Sequence, residues 1–536
     1  MSNIRHRLFP LVISLLALCP GMRLVSAQDA NNAASVPPEI KAILDAPRYK
    51  GATWGLRVID LKTGKLVIDL DPGHKFLLGS VRKVFSTGEL LNQIGPAHTF
   101  NTPAYRQGTV SDKGTLDGDL ILVASGDLTM GGRTKQNGTI AYSDFDHNEA
   151  NSLGNAVLTK PDPLRGYAAL ANQIADSGIK EIRGEIVIDD RLFKPFNFRG
   201  EFDVKPIFVN DDVVDVIIDP ANLGELAHIE HRPRSAALAI DNDILMTPPG
   251  TSVNIEPVLP RCIGQPDCTV TISGNLPVGF VPPFTGRYPL IRTFRIVDPS
   301  SYVRTVLIEK LRAAGVIVKA PAVERNPSEL LPPKDSYERD MRVAELRGLP
   351  YSEDIKLINK VSYNIGADTS IVLYGLTQGV DNMESALAAE RKNLQTKYGI
   401  EPSEYFFIDG SGGGESTATP RAVTRFLADM YTKSGFAQYL ASFPILAVDG
   451  SLASVNEFEC NPSLAPAKGR VHAKPGTFLE GSLIRGQAFA GYIHAKSGSE
   501  LVYEVVVNNV PFHNLNDLIR VFQDEGTISA ILWRDN

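Results

Sequence analysis

The feature that most constrains this fold is an interrupted pattern: two stretches of clear periodicity, one near each end, enclose a long middle of different texture. Residues 53–70, TWGLRVIDLKTGKLVIDL, alternate apolar and polar positions on both sides of Lys62-Thr63-Gly64, the pattern of a β-hairpin. From Ser80 the apolar residues Val84, Leu90, Leu91 and Ile94 recur at helical spacing until Gly95-Pro96 ends the run. Residues 103–295 carry short β-like runs (120–124, 185–189, 213–218) broken by Gly, Asn, Asp and Pro. Helical periodicity returns over 301–314, 354–374 and 420–431, and the chain closes with strand-like 488–494 and 502–507 and a helix over 514–532. The expectation is one mixed α/β (α+β) domain in two parts, 38–102 and 296–536, interrupted by a mostly β insertion over 103–295. No tandem repeat is visible, and the proline-rich 329–334 reads as a linker or surface loop.

Residues 1–27 read as a secretory signal: Arg5 and Arg7 precede an apolar run over 8–18, and Val25-Ser26-Ala27 is a small-residue cleavage site. The apolar run is far short of the roughly 20 residues that span a bilayer, so no transmembrane anchor is expected after the signal is removed. Export permits disulfides. Cys262 and Cys268 are the natural pair across a short loop, which leaves Cys460 over. With 536 residues, 43% hydrophobic and 21% charged, the chain can bury a large core. Its net charge of -7 argues against nucleic acid as a partner, because binding that polyanion rests on excess Lys and Arg.

Three short patterns carry chemistry. Ser80-Val81-Arg82-Lys83 is S-x-x-K, which puts both side chains on one face of a helix start. A lysine whose charged form is disfavoured by burial can take the serine proton, and the helix N-terminus favours the negative charge that develops. A chain of this length holds about two such matches by chance. The other, Ser177-Gly178-Ile179-Lys180, runs off an amphipathic stretch into a glycine turn, where a solvated helix-end lysine is ordinary. Ser362-Tyr363-Asn364 falls at a helix junction: Ser362 can pass a proton to a leaving amine and Asn364 can hold a substrate carbonyl or the lysine, unless both are merely helix caps. Lys474-Pro475-Gly476-Thr477 follows the strand-like Val471-His472-Ala473. There Lys474 supplies charge, Gly476 lets substrate approach the strand, Thr477 can bind a terminal carboxylate, and the N–H groups of Thr477 and Ser80 can form an oxyanion hole. The look-alikes at Lys62, Lys433 and Lys496 sit at hairpin turns or past a helix end.

Other chemistry fits less well. His228-Ile229-Glu230-His231 lacks the paired histidines of a zinc helix, and Asp144-x-Asp146-x-Asn148 lacks the glycine and final glutamate of a calcium loop. Both read as solvated loops. Ser411 lies among glycines without the G-x-S-x-G elbow. No metal or cofactor is expected.

In order, Ser80-x-x-Lys83, Ser362-x-Asn364 and Lys474-x-Gly476 resemble the motifs of penicillin-binding proteins and serine β-lactamases, a set that serves as a standard example of motif reading. The long interval after the first motif resembles the D-alanyl-D-alanine carboxypeptidase/endopeptidase branch of low-molecular-mass penicillin-binding proteins. So do Gly118-Asp119-Leu120, Ser125-Gly126-Asp127, the run from Gly184 to Asp190, Asp409-Gly410-Ser411-Gly412 and the run from Val448 to Leu452. The resemblance implies an antiparallel sheet flanked by helices and an acyl-enzyme on Ser80, with Lys83 as base. It also implies peptidoglycan peptide stems as substrate, β-lactams as covalent inhibitors and an extracytoplasmic location. Tyr363 stands where this branch usually has aspartate and Pro475 where it has threonine or serine, and Gly413-Gly414-Glu415 also departs from its usual run. Two rivals follow from the same likeness: a β-lactamase, and a catalytically silent peptidoglycan-binding protein of this fold.

Overall fold

The computed structural model describes residues 36–255 and 262–536, so the signal-like segment lies outside the described residues. The described chain divides into two compact units, one built from the chain up to His98 and from Tyr351 onward, the other from Thr99–Pro350.

The discontinuous unit is built on an antiparallel sheet. Its strands are β1 (Thr53–Asp60), β2 (Leu66–Leu70), β3 (Val471–Glu480), β4 (Leu483–His494) and β5 (Glu500–Asn508), in the order β2-β1-β5-β4-β3, with Val510–Pro511 pairing onto β4. The predicted hairpin is β1 and β2, and Asp60 closes its turn by accepting from the N–H groups of Lys62 and Thr63. The unit's helices include α1 (Lys83–Ile94), α2 (Tyr351–Lys360), α3 (Asn364–Thr377), α4 (Met383–Tyr398), α5 (Pro420–Tyr431) and α6 (Leu515–Asp535). On one sheet face Leu56, Val58, Phe489, Val505 and Val507 share a core with Val521, Ile528 and Ile531 of α6. On the other, Tyr492 donates from its hydroxyl to the carbonyl of Leu427 in α5, whose Phe426 packs 4.6 Å from Phe85 of α1. Both faces of β5 are therefore covered, and nearly every residue in it is buried. A strand in that position reads as a near-continuous apolar run, as Leu501 to Val507 does apart from the buried Glu504.

The interrupting unit carries a sheet ordered Ile317–Val318, Glu181–Ile182, Thr115–Val123, Thr99–Val110, Arg342–Pro350, with Ile186–Asp189 also on Thr115–Val123, and two three-stranded sheets. It ends at Pro350, not at residue 295. The reason is packing: the helix Pro299–Ala313 puts Tyr302, Val303, Val306, Leu307 and Leu311 into the same core as Leu120, Leu170 and Ile188. Periodicity shows that a helix exists but not which core receives it. With Arg165–Asp176, this helix also makes the unit less purely β than its sequence texture suggests.

Cys262 and Cys268 form a disulfide, with Cα atoms 5.4 Å apart. The Asp146 segment is not the solvated loop its sequence suggests. Asp146 is buried and its carboxylate takes both terminal nitrogens of Arg133, at 2.9 and 2.7 Å. Asn148 donates to Asp146 and Asp211, and His147 Nδ1 lies 2.7 Å from Asp215. The acidic residues gather around an internal guanidinium, a polar network that burial demands be satisfied. Lys180 and Ser177, by contrast, are exposed beyond a helix end.

Candidate active site

The residues of the three motifs all belong to the discontinuous unit. Ser80 lies on a 3-10 turn, Gly79–Arg82, that feeds directly into α1 at Lys83, so the regular α-helix begins three residues later than its periodicity suggests. The one-residue-tighter turn still places serine and lysine side by side. Lys83, fully buried, sets its Nζ 2.6 Å from Ser80 Oγ, 2.6 Å from Asn364 Oδ1 and 2.9 Å from the carbonyl oxygen of Ser411. Asn364 opens α3. No side chain caps that helix, so Ser362 and Asn364 do not act as caps. Asn364 turns to Lys83, and Ser362 Oγ accepts from Lys474 Nζ at 3.0 Å. Ser362 has a left-handed φ of 62°, uncommon for a residue with a Cβ, in the three-residue joint between α2 and α3. Beneath the joint, Lys360 Nζ reaches both oxygens of Asp449 at 2.7 Å and ties it to the Val448 to Leu452 segment.

The third motif lies inside β3, an edge strand, instead of following a short one. Pro475 is tolerated there for a geometric reason. Lys474 Nζ donates to the Pro475 carbonyl at 2.9 Å, so that carbonyl points away from the ladder, and in an antiparallel strand the missing N–H would have pointed the same way. Gly476 is required by the fold itself: a Cβ on it would meet the Leu78 carbonyl oxygen at 2.0 Å and the Ser80 nitrogen at 2.9 Å, so glycine lets the serine turn press against the strand. Gly79, with φ 49°, meets the strand from the other side: its Cβ would fall 2.5 Å from the Thr477 nitrogen. Gly476→Ala is accordingly expected to cost about 2–3 kcal/mol in denaturant unfolding. By displacing Ser80 it is also expected to lower kcat roughly 100-fold. Unaltered kcat would show that the contact does not position the turn.

Thr477 departs from expectation. Its hydroxyl donates to Gln487 Oε1 at 2.6 Å, and Gln487 Nε2 donates to Glu525 Oε2 at 3.2 Å.

Sequence reasoning missed the support behind the serine. Asp409 accepts from the backbone N–H groups of Ser411, Gly412 and Gly413 and so folds the loop that offers the Ser411 carbonyl to Lys83. A Cβ on Gly412 would lie 1.8 Å from the Gly79 carbonyl oxygen, so the loop packs flat on the serine turn. Arg82 anchors the loop from below: Nε donates to the Asp409 carbonyl, a terminal nitrogen reaches Glu390 of α4 at 2.6 Å, and the guanidinium covers the Phe407 ring at 4.0 Å. The signal for the loop, Asp409 followed by alternating glycines, was present in the sequence; the Arg82–Glu390 pair had none.

Beside this pair Glu89 is buried, and burial together with the neighbouring Glu390 pushes its carboxyl up to about 8. A folded-state value above the unfolded one means the folded protein holds a proton that the unfolded chain has released. The contribution is therefore complete below about pH 4.5 and is lost as pH rises toward 8. Glu89→Gln keeps a neutral acceptor for Asn393, which now donates at 2.6 Å. It is expected to flatten the loss of stability between pH 5 and 8, raising Tm at pH 8 by roughly 5 °C. A wild type whose Tm does not fall over that range would contradict the assignment.

A hydroxyl against a buried lysine, with a second serine and lysine beside it, can accept an acyl group and pass a proton to a departing amine. Site and fold together define an active-site-serine hydrolase of the penicillin-binding type. The chain belongs to the D-Ala-D-Ala carboxypeptidase 3 (S13) family, whose profile matches residues 37–522. It is 24% identical over 495 residues to a D-alanyl-D-alanine carboxypeptidase of Actinomadura sp. (strain R39), covering 88% of this chain and 80% of that one. It is 23% identical over 329 residues to a penicillin-sensitive carboxypeptidase A of Dictyostelium discoideum, covering 59% of this chain and 57% of that one. The fold is similar to that of penicillin binding protein 4 (dacB) from Haemophilus influenzae, with a TM-score of 0.69 at 16% identity over 92% of this chain and 99% of that one.

Proposed function

We propose that Ser80 attacks the carbonyl carbon of a D-alanyl peptide bond in peptidoglycan stems, as a carboxypeptidase, an endopeptidase or both. The C–N bond breaks as the Ser80 ester forms, the hydroxyl proton passes to Lys83, and a proton returns to the leaving amine through Lys474 and Ser362. Water then cleaves the ester and restores the serine. Asn364 orients Lys83, and the Thr477 and Ser80 N–H groups receive the developing oxyanion.

The observation that carries this reading is the position of Lys83 Nζ, 2.6 Å from Ser80 Oγ and held there by Asn364 and the Ser411 carbonyl. The activity in the names of the family and of its Actinomadura relative supports the substrate class. The H. influenzae protein has also been solved in complex with a β-lactam, with a TM-score of 0.66 at 18% identity, which supports β-lactams as ligands here. The signal-like first 27 residues and the Cys262–Cys268 disulfide support export to the periplasm or a similar extracytoplasmic space. Among the described residues no helix is long and apolar enough to cross a membrane.

Mass analysis of peptidoglycan fragments after incubation tests the reading. Loss of one D-alanine per stem marks a carboxypeptidase, and conversion of dimeric to monomeric muropeptides marks an endopeptidase. Fragments left unchanged by the wild type would overturn it in favour of a silent binding protein, and rapid turnover of nitrocefin would favour a β-lactamase.

A further inference from the structure

The third motif has lost the hydroxyl donors expected to grip a carboxylate on the leaving group. Pro475 brings neither a hydroxyl nor an N–H to the outer edge of β3. Thr477 has a hydroxyl, but its proton is already committed. Gln487 is fully buried, and its amide nitrogen donates to Glu525, so its oxygen is the end turned to Thr477. A carbonyl oxygen cannot donate, and Thr477 must therefore be the donor in the 2.6 Å contact. What its oxygen still offers is lone pairs, which accept from an N–H and repel a carboxylate. Lys474 directs its ammonium to Ser362 Oγ and the Pro475 carbonyl.

We infer that this site does not select for a free carboxylate on the leaving group, and that its substrates include D-alanyl bonds to amines whose own carboxyl is amidated or otherwise neutral. Gln487 is the positioning residue: it touches no substrate and acts by fixing which way the Thr477 hydroxyl points. Glu525 locks Gln487 in turn. Glu525 Oε2 lies 3.2 Å from Gln487 Nε2 and so holds the amide with its oxygen toward Thr477. This inference rests on the peptidase reading above.

The test compares kcat/KM on an N-acylated L-lysyl-D-alanyl-D-alanine and on the same peptide ending in D-alaninamide, following release of the last residue. A hydroxyl donated to a carboxylate is worth roughly ten- to a hundredfold, so a site without one is expected to show rates within about tenfold of each other. Gln487→Met removes the acceptor and frees the Thr477 hydroxyl to donate outward, so the preference for the free acid is expected to rise about tenfold or more, and adding Thr477→Val should erase that rise. Thr477→Val alone, whatever it does to either rate, is expected to leave their ratio within about threefold of wild type, which keeps the test decisive if Gln487→Met does not fold. A wild type that prefers the free acid by more than about a hundredfold, or loses its preference with Thr477→Val, would overturn the inference. Silence on both peptides overturns it as well. Labelling by a fluorescent penicillin then separates the cases: labelling retained spares the active-serine reading, and labelling absent sinks that reading too.

Discussion

Ser80→Ala is expected to abolish release of D-alanine from acyl-D-alanyl-D-alanine peptides, with kcat falling at least ~10⁴-fold, and to leave folding intact. The magnitude follows from what is removed. Without Ser80 Oγ no ester can form, and what remains is whatever rate the oxyanion donors and binding give to attack by water. The side chain lost is a single hydroxyl at a partly exposed position whose contact is with Lys83, so Tm is expected to shift by no more than about 2 °C. Activity is read by D-alanine release and folding by circular dichroism. A variant keeping a tenth of wild-type activity would show that another group is the nucleophile, and Ser411 would be the first to examine.

Lys83→Met is expected to be nearly as damaging, lowering kcat by ~10³-fold or more while Lys474→Met costs less. Both lysines are fully buried, and composition alone does not rank them. Geometry does. Lys83 Nζ contacts Ser80 Oγ directly, whereas Lys474 Nζ contacts Ser362 Oγ and is one hydroxyl further from the bond that breaks. Methionine keeps length and apolar volume, so the loss reads as lost proton transfer more than lost packing. The measurement is the rate of acylation by a fluorescent penicillin for both variants. Equal losses would mean that the two lysines share the base role, and a larger loss at Lys474 would reverse the assignment.

The sequence displayed the site better than the architecture around it, for reasons visible in single residues. Ser80 and Lys83 are three positions apart, so local spacing alone brings them together. Asn364 and Lys474 are remote in sequence, and their order within a family pattern, not any spacing, brought them in. The sequence shows Gly476 but not its contact with the serine turn, because the atoms that demand a glycine belong to Leu78 and Ser80 on another segment. The same holds for Thr477: its hydroxyl meets Gln487, which Glu525 holds in turn, and neither carries any mark of this in the sequence.

In the fold, α4 escaped notice because its buried stripe is narrow, Ala386, Glu390, Leu394 and Tyr398, and one of the four is a glutamate. That glutamate faces Arg82, so a charge that hides the helix from a hydropathy pattern also fixes the helix beneath the serine turn. The end of the interrupting unit was misplaced because Pro299–Ala313 looks like any other buried-face helix until its core partners are known.

The most direct test of the central claim is peptide mass mapping after incubation with a penicillin. The expected result is one acyl adduct, carried by the peptide containing Ser80 and absent in Ser80→Ala. An adduct on Ser411 or Ser362, or none on a folded wild type, would contradict the account.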